Sequence, residues 1–150
     1  MEREDHLKKL EENRDALLQS IEGLKEKQLT EDPVEGVWPI KAVLDHIAAW
    51  EKEVLVSAQE IAAGKRPAIM DIQDFDQCNA RFVEEKKQRS MQQTLEELSS
   101  TRKDFIQGLK DLPQEVWQNE TVQYLVKIIW EHDAEHCTTV CSWRETAKNT

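Results

Sequence analysis

The chain has 150 residues, with 20 Lys plus Arg against 30 Asp plus Glu, a formal net charge of −10 and a pI near 4.9. That length fits one domain, expected over residues 1–150, and suffices to bury a core. The acidic balance excludes general binding to nucleic acid or to anionic membranes, whose phosphates attract basic surfaces.

No window of about 18 apolar residues exists to span a bilayer. Charged residues make up 33 % and apolar residues 39 %. Such a balance can mean disorder. Here the apolar residues recur at helical spacing, which predicts long amphipathic helices with solvated outer faces. Gly is rare, and neither GxGxxG nor a P-loop occurs. The amino-terminal stretch MEREDHLKKLEENRDALL is charged throughout and has no apolar h-region. Cys78, Cys137 and Cys141 cannot all pair within one chain. Together these features predict a reduced, cytoplasmic protein.

The first helix is predicted over about 3–28, where Leu7, Leu10, Leu17, Leu18, Ile21 and Leu24 share a face. His6 precedes the first of them and reads as solvated. The segment LTEDPVEGVWP breaks the pattern. A second helix starts near Pro39 and carries Ile40, Val43, Ile47, Trp50, Val54, Ala58 and Ile61 inward. Gly64 and Pro67 stop it. A third segment covers about 72–112, with Phe75, Cys78, Phe82, Met91, Leu95, Leu98, Phe105, Leu109 and Leu112 on its apolar side. The run EEKKQR interrupts it, and Ser90 with Gln93 resembles a capping box that restarts a helix. The last helix is predicted over about 120–146. No strand pair carries a hairpin signal. The fold class is therefore all-α, a four-helix bundle.

Bundles build sites from inward side chains on facing helices. His132 and His136 differ by about 40° around the last helix, so they point the same way from adjacent turns. Leu125 lies seven before His132, and Ile129 and Trp143 lie seven either side of His136. Both imidazoles thus stand in the inner stripe, where burial is costly unless their nitrogens find partners. His-x3-His suits a divalent metal about 2 Å from each nitrogen. The spacing also fits a satisfied core pair or a surface coincidence. His46 lies about 90° from the centre of the second helix's stripe, at the edge of the buried face. It either looks across to a neighbouring helix or stays half-exposed.

Two stretches carry a resemblance. VWPIKAVLDHIAAWE, with Trp38, His46, Trp50 and Glu51, resembles the second-helix signature of the DinB-like superfamily. IIWEHDAEHCTTVCSWRE, with His132, His136 and Trp143, resembles its last-helix signature. The middle, DFDQCNARFVEEKKQRSMQQTLEELSSTRKDFIQGLKDLP, is similar to the third-helix region of its DfsB-type branch. The resemblance covers essentially the whole chain. It implies an up-up-down-down type of four-helix bundle with one long crossover, and a divalent metal held by His46, His132 and His136. Homodimers are common in the family. Its members include S-transferases and isomerases that use bacillithiol or mycothiol, and others labelled metal-dependent hydrolases. The family name, from damage-inducible genes, establishes no role in DNA repair.

Three imidazoles on one ion leave positions open for water or a thiolate. Zinc is the default for such a set, with nickel, manganese and iron as alternatives. Carboxylates behind the imidazoles should orient them; Asp45, Glu53, Asp133 and Glu135 are near in sequence, read mostly as solvated helix-face charges, and none stands out as the general base. Cys137 and Cys141 read as small hydrophobes. Trp50, Trp130 and Trp143 either line a pocket or fill the core, and Asn79 either faces the cavity or satisfies the backbone.

The expected function is a metal-dependent hydrolase or a thiol S-transferase acting on a small electrophile, with a low-molecular-weight thiol as a partner. The alternative is a non-catalytic protein that binds or sequesters a small molecule in stress or toxin resistance. A third reading has three satisfied core histidines and no metal.

Overall fold

Each predicted apolar stripe forms one wall of a helical bundle. The computed structural model describes residues 1–148. In chain order the helices are α1 (Arg3–Ser20), α2 (Glu26–Thr30), α3 (Ile40–Ala62), α4 (Phe75–Lys86), α5 (Met91–Asp111), α6 (Gln114–Trp117) and α7 (Glu120–Lys148), with a 3-10 turn at Ala68–Asp71 before α4. Among the described residues the only strand-like pairing is an isolated bridge between Glu35 and Trp38. No helix is long and apolar enough to cross a membrane among those residues.

Local chemistry sets the boundaries. Gly64, at φ +74°, closes α3 in the left-handed region, and Lys65 N–H donates to the Glu60 carbonyl at 2.9 Å. Ser90 and Gln93 form the expected capping box. The Ser90 hydroxyl accepts from Gln93 N–H at 3.1 Å, and the Gln93 side chain accepts from Ser90 N–H at 2.8 Å. The predicted third segment is thus two helices, α4 and α5. The first helix ends at Ser20 rather than near residue 28. The Ser20 hydroxyl turns back onto the Leu17 carbonyl at 2.5 Å, and Arg144 donates to the Ser20 carbonyl at 3.0 Å. Leu24, beyond the end of α1, still packs against the same core cluster from the turn.

Contacts between the long helices fix their directions. Pairs along α1 and α7 advance together, from Asn13 and Trp130 at 2.8 Å to Ser20 and Arg144 at 3.0 Å. Pairs along α3 and α5 also advance together, from Asp45 and Thr94 at 2.7 Å through Glu51 and Arg102 to Leu55 and Gly108. Pairs between α1 and α5 run oppositely, from Arg3 and Leu112 at 2.9 Å to Arg14 and Leu98 at 3.2 Å. The order is therefore up-down-down-up, which corrects the up-up-down-down expectation. Parallel neighbours α3 and α5 require the one long crossover, residues 63–90, which carries α4.

The core is two apolar clusters with a charged layer between them. One holds Leu10, Val54, Phe105, Leu109 and Ile129, and the other holds Leu17, Ile47, Leu98 and Val140. Each long helix places one charged residue between them: Arg14, Glu51, Arg102 and Asp133. All four are buried. Arg14 donates to Asp133 at 3.1 Å and to Glu51 at 3.0 Å. Arg102 donates to Asp133 at 2.8 Å and also to Glu51. The spare donors reach the Leu98 carbonyl at 3.2 Å and the Leu10 carbonyl at 2.7 Å. The ring is neutral overall, and each guanidinium is bonded to both carboxylates, as burial of charge requires.

Candidate metal centre

His46 sits on the second turn of α3, and His132 and His136 sit on successive turns of α7. His46 and His136 are buried and His132 is half-buried. The bundle brings the three rings together. His136 Nε2 lies 2.9 Å from His46 Nε2 and 2.8 Å from His132 Nε2. The three ligand atoms lie within 4.8 Å of one another, close enough to hold one metal ion.

Two neighbours decide which way the lone pairs face. The Asn79 side-chain oxygen accepts from the Trp50 indole N–H at 2.5 Å, and an indole N–H can only donate. The same oxygen lies 3.2 Å from His46 Nδ1, which must therefore carry the hydrogen. His46 Nε2 is left with its lone pair. On the other side, His136 Nδ1 lies 3.0 Å from Glu35 Oε1. The His136 hydrogen bond holds the Glu35 carboxyl below its ordinary range, so it is ionised and accepts from Nδ1–H. With its Nδ1–H committed to Glu35, His136 turns Nε2 toward the other two rings, and in the neutral ring that atom carries a lone pair.

With the rings neutral, the His46 and His136 lone pairs face each other at 2.9 Å and repel unless a cation lies between them. A proton can bridge two nitrogens but not three, whereas a metal ion accepts a lone pair from each. Burial, then the neighbouring His136, pushes the His46 pKa down to about 4. Burial, then His136 and His46, pushes His132 down to about 2, and Arg14 adds to the effect. Both rings are neutral at pH 7, the form a metal needs. The donor set fits a divalent ion.

The segment before α3 builds one wall. Trp38 N–H donates to the Glu35 carbonyl at 2.9 Å, closing a tight turn in which Gly36 adopts φ +61°. That turn sets Glu35 on His136 and packs the Trp38 ring, tilted by 59°, with its centroid 5.0 Å from that of the His46 ring. The crossover builds the other wall, since α4 supplies Asn79. Glu35 was not singled out in the sequence. The VEGVWP turn signal beside the His46 stretch could have drawn attention to it.

Other expectations divide. Trp50 and Asn79 face the site. Trp130 does not: its indole donates to His6 Nδ1 at 3.0 Å on the opposite side of α7. Trp143 and Cys137 pack on the second apolar cluster, and Cys141 is exposed. Burial pushes the Cys137 thiol pKa up, away from a nucleophilic role.

His6 is buried, contrary to the solvated reading, because it lies four before Leu10 on the same face of α1. Asp45 and Asp133 are also buried rather than solvated. Asp45 accepts from Lys41 at 2.8 Å and from Thr94 at 2.7 Å. Asp133 belongs to the charged ring. Glu135 is exposed and Glu53 half-exposed, as expected of helix-face charges.

A family model described as the DinB superfamily matches residues 9–140. No curated protein and no solved structure matches. The match spans the bundle, all three histidines and both residues that orient them, and the chain belongs to the DinB superfamily.

Proposed function

We propose that this protein is a metal-dependent enzyme that catalyses hydrolysis, or transfer to a low-molecular-weight thiol, of a small electrophile. The observation that carries this reading is the convergence of three Nε2 atoms, on two rings whose Nδ1 is held by Asn79 or Glu35. A divalent ion held there, zinc by the chemistry of three nitrogen donors, supplies a Lewis acid that favours the deprotonated form of water or a thiol at neutral pH. The chain does the rest. Asn79 and Glu35 keep the imidazoles in one tautomer and orientation. Trp38 packs beside the His46 ring, which is buried from water. Burial and the two neighbouring imidazoles disfavour a proton on His132, and Arg14 of the charged ring adds to the effect.

The test is turnover by zinc-loaded protein of p-nitrophenyl acetate, and of 1-chloro-2,4-dinitrobenzene with a small thiol. Activity lost in both His132→Ala and His136→Ala supports the reading. Activity retained in both overturns it. One observation favours a second reading, in which the site only binds and sequesters a small molecule. The buried carboxylates Asp45, Glu51 and Asp133 are each held in ion pairs, so none is free to act as a base. Saturable binding without product would select that reading.

A further inference from the structure

A cavity of about 280 Å3 adjoins the histidine site, with His132 the one imidazole of the three in its lining. Trp50 of α3, Ile69 and Phe75 of the crossover, and Leu125 and Ile129 of α7 form its walls. No Lys, Arg, Asp or Glu lines it. The Trp50 indole N–H faces away, bonded to Asn79. At the mouth, Met70, Tyr124 and Ile128 are 53 %, 63 % and 39 % exposed, an apolar rim on a chain of net charge −10. Long apolar side chains left in water around a concave apolar space mark a ligand site. An anionic ligand would find no countercharge in the walls and a repulsive field outside.

We infer that this cavity takes an uncharged, apolar group, an alkyl or aryl chain, of a substrate whose reactive end reaches His132. The reactive end rests on the metal-dependent reading above, while the apolar group does not. The cavity also discriminates against thiols that carry several carboxylates, so such a cosubstrate must approach from outside the apolar walls. Trp50 joins the two parts of the site. Its ring is a cavity wall and its N–H is held by the oxygen that orients His46.

The test uses two dyes with one aromatic skeleton. N-phenyl-1-naphthylamine is neutral, and 8-anilinonaphthalene-1-sulfonate adds a sulfonate. Fluorescence titration of the full chain, metal-free and zinc-loaded, should give one site that binds the neutral dye at least tenfold more tightly. Ile128→Asp and Tyr124→Asp, both at the exposed rim, should each weaken that binding about tenfold or more. Val56→Asp, at an exposed position outside the cavity, should leave it unchanged. Calorimetry on zinc-loaded protein should show hydroxamic acids gaining about fourfold in affinity per methylene from acetohydroxamic to hexanohydroxamic acid.

Equal or tighter binding of the sulfonate overturns the inference, as does an affinity independent of chain length. It is also overturned if Ile128→Asp breaks a dimer without weakening the dye, which would make the rim a subunit interface. Neutral-dye binding with no hydroxamate binding would sink the metal reading and leave the cavity's preference standing. Acetohydroxamate binding with no chain-length gain would do the reverse.

Discussion

The Nε2 atoms of His46 and His136 face each other while each Nδ1 is held by another side chain, and that arrangement separates this trio from core histidines that satisfy one another. Asn79 and Glu35 impose it, so their removal should weaken metal binding without removing a ligand. Asn79→Ala and Glu35→Gln should each lower zinc affinity about 10–100-fold, measured by competition with a chromophoric chelator. Unchanged affinity in both would mean the tautomers are set elsewhere. A second prediction concerns His6. Its Nδ1 accepts from Trp130, and burial lowers its pKa from 6.5. The unfolded chain therefore binds the proton more readily. Stability from the neutral ring is complete above 6.5 and is lost as pH falls below it. In metal-free protein, His6→Phe should make chemical denaturation less sensitive to pH between about 7.5 and 5. Parallel curves for the two proteins would refute this.

The long helices share a device that apolar periodicity alone conceals. Arg14 follows Leu10 by four and precedes Leu17 by three. Glu51 stands the same way between Ile47 and Val54, and Arg102 between Leu98 and Phe105. Asp133 follows Ile129 by four. A charge at a core position on each of four helices was legible, but only if the four stripes were compared. On one helix such a residue reads as a boundary charge. Asp133, read on its own helix, looks like a solvated charge for that reason. The histidine pair was legible because its partners lie on one helix. Glu35 and Asn79 were harder, since only the tertiary fold brings a turn and a crossover helix to the same rings. The helix directions were not in the pattern at all, because amphipathic stripes look alike in either orientation. Breaking the ring should be costly. Glu51→Gln leaves two buried guanidinium groups with one carboxylate, and should lower unfolding free energy by about 3–5 kcal/mol. Ser90→Ala, which removes the cap that starts α5, should cost about 1 kcal/mol. Urea denaturation ranks the two, and a larger loss in Ser90→Ala would contradict the role given to the ring.

At the scale of the molecule, the crossover between parallel α3 and α5 joins fold to function. It supplies Asn79 to the histidines and Ile69 and Phe75 to the cavity, so one long connection builds both halves of the site. The three imidazoles belong to α3 and α7, so an ion held among them also ties these helices together. Zinc at about 100 times its dissociation constant should add about 2.7 kcal/mol, a rise in Tm of about 5–11 °C for a chain of this size. His132→Ala should show no such rise. The account depends most on the ion itself. The direct measurement is the metal content, by mass spectrometry, of protein purified without a histidine tag, beside the triple variant His46→Ala, His132→Ala, His136→Ala. The account predicts about one divalent ion per chain in the native protein and none in the folded variant. Native protein that holds no ion, even after zinc, nickel and manganese are supplied in turn, would contradict it.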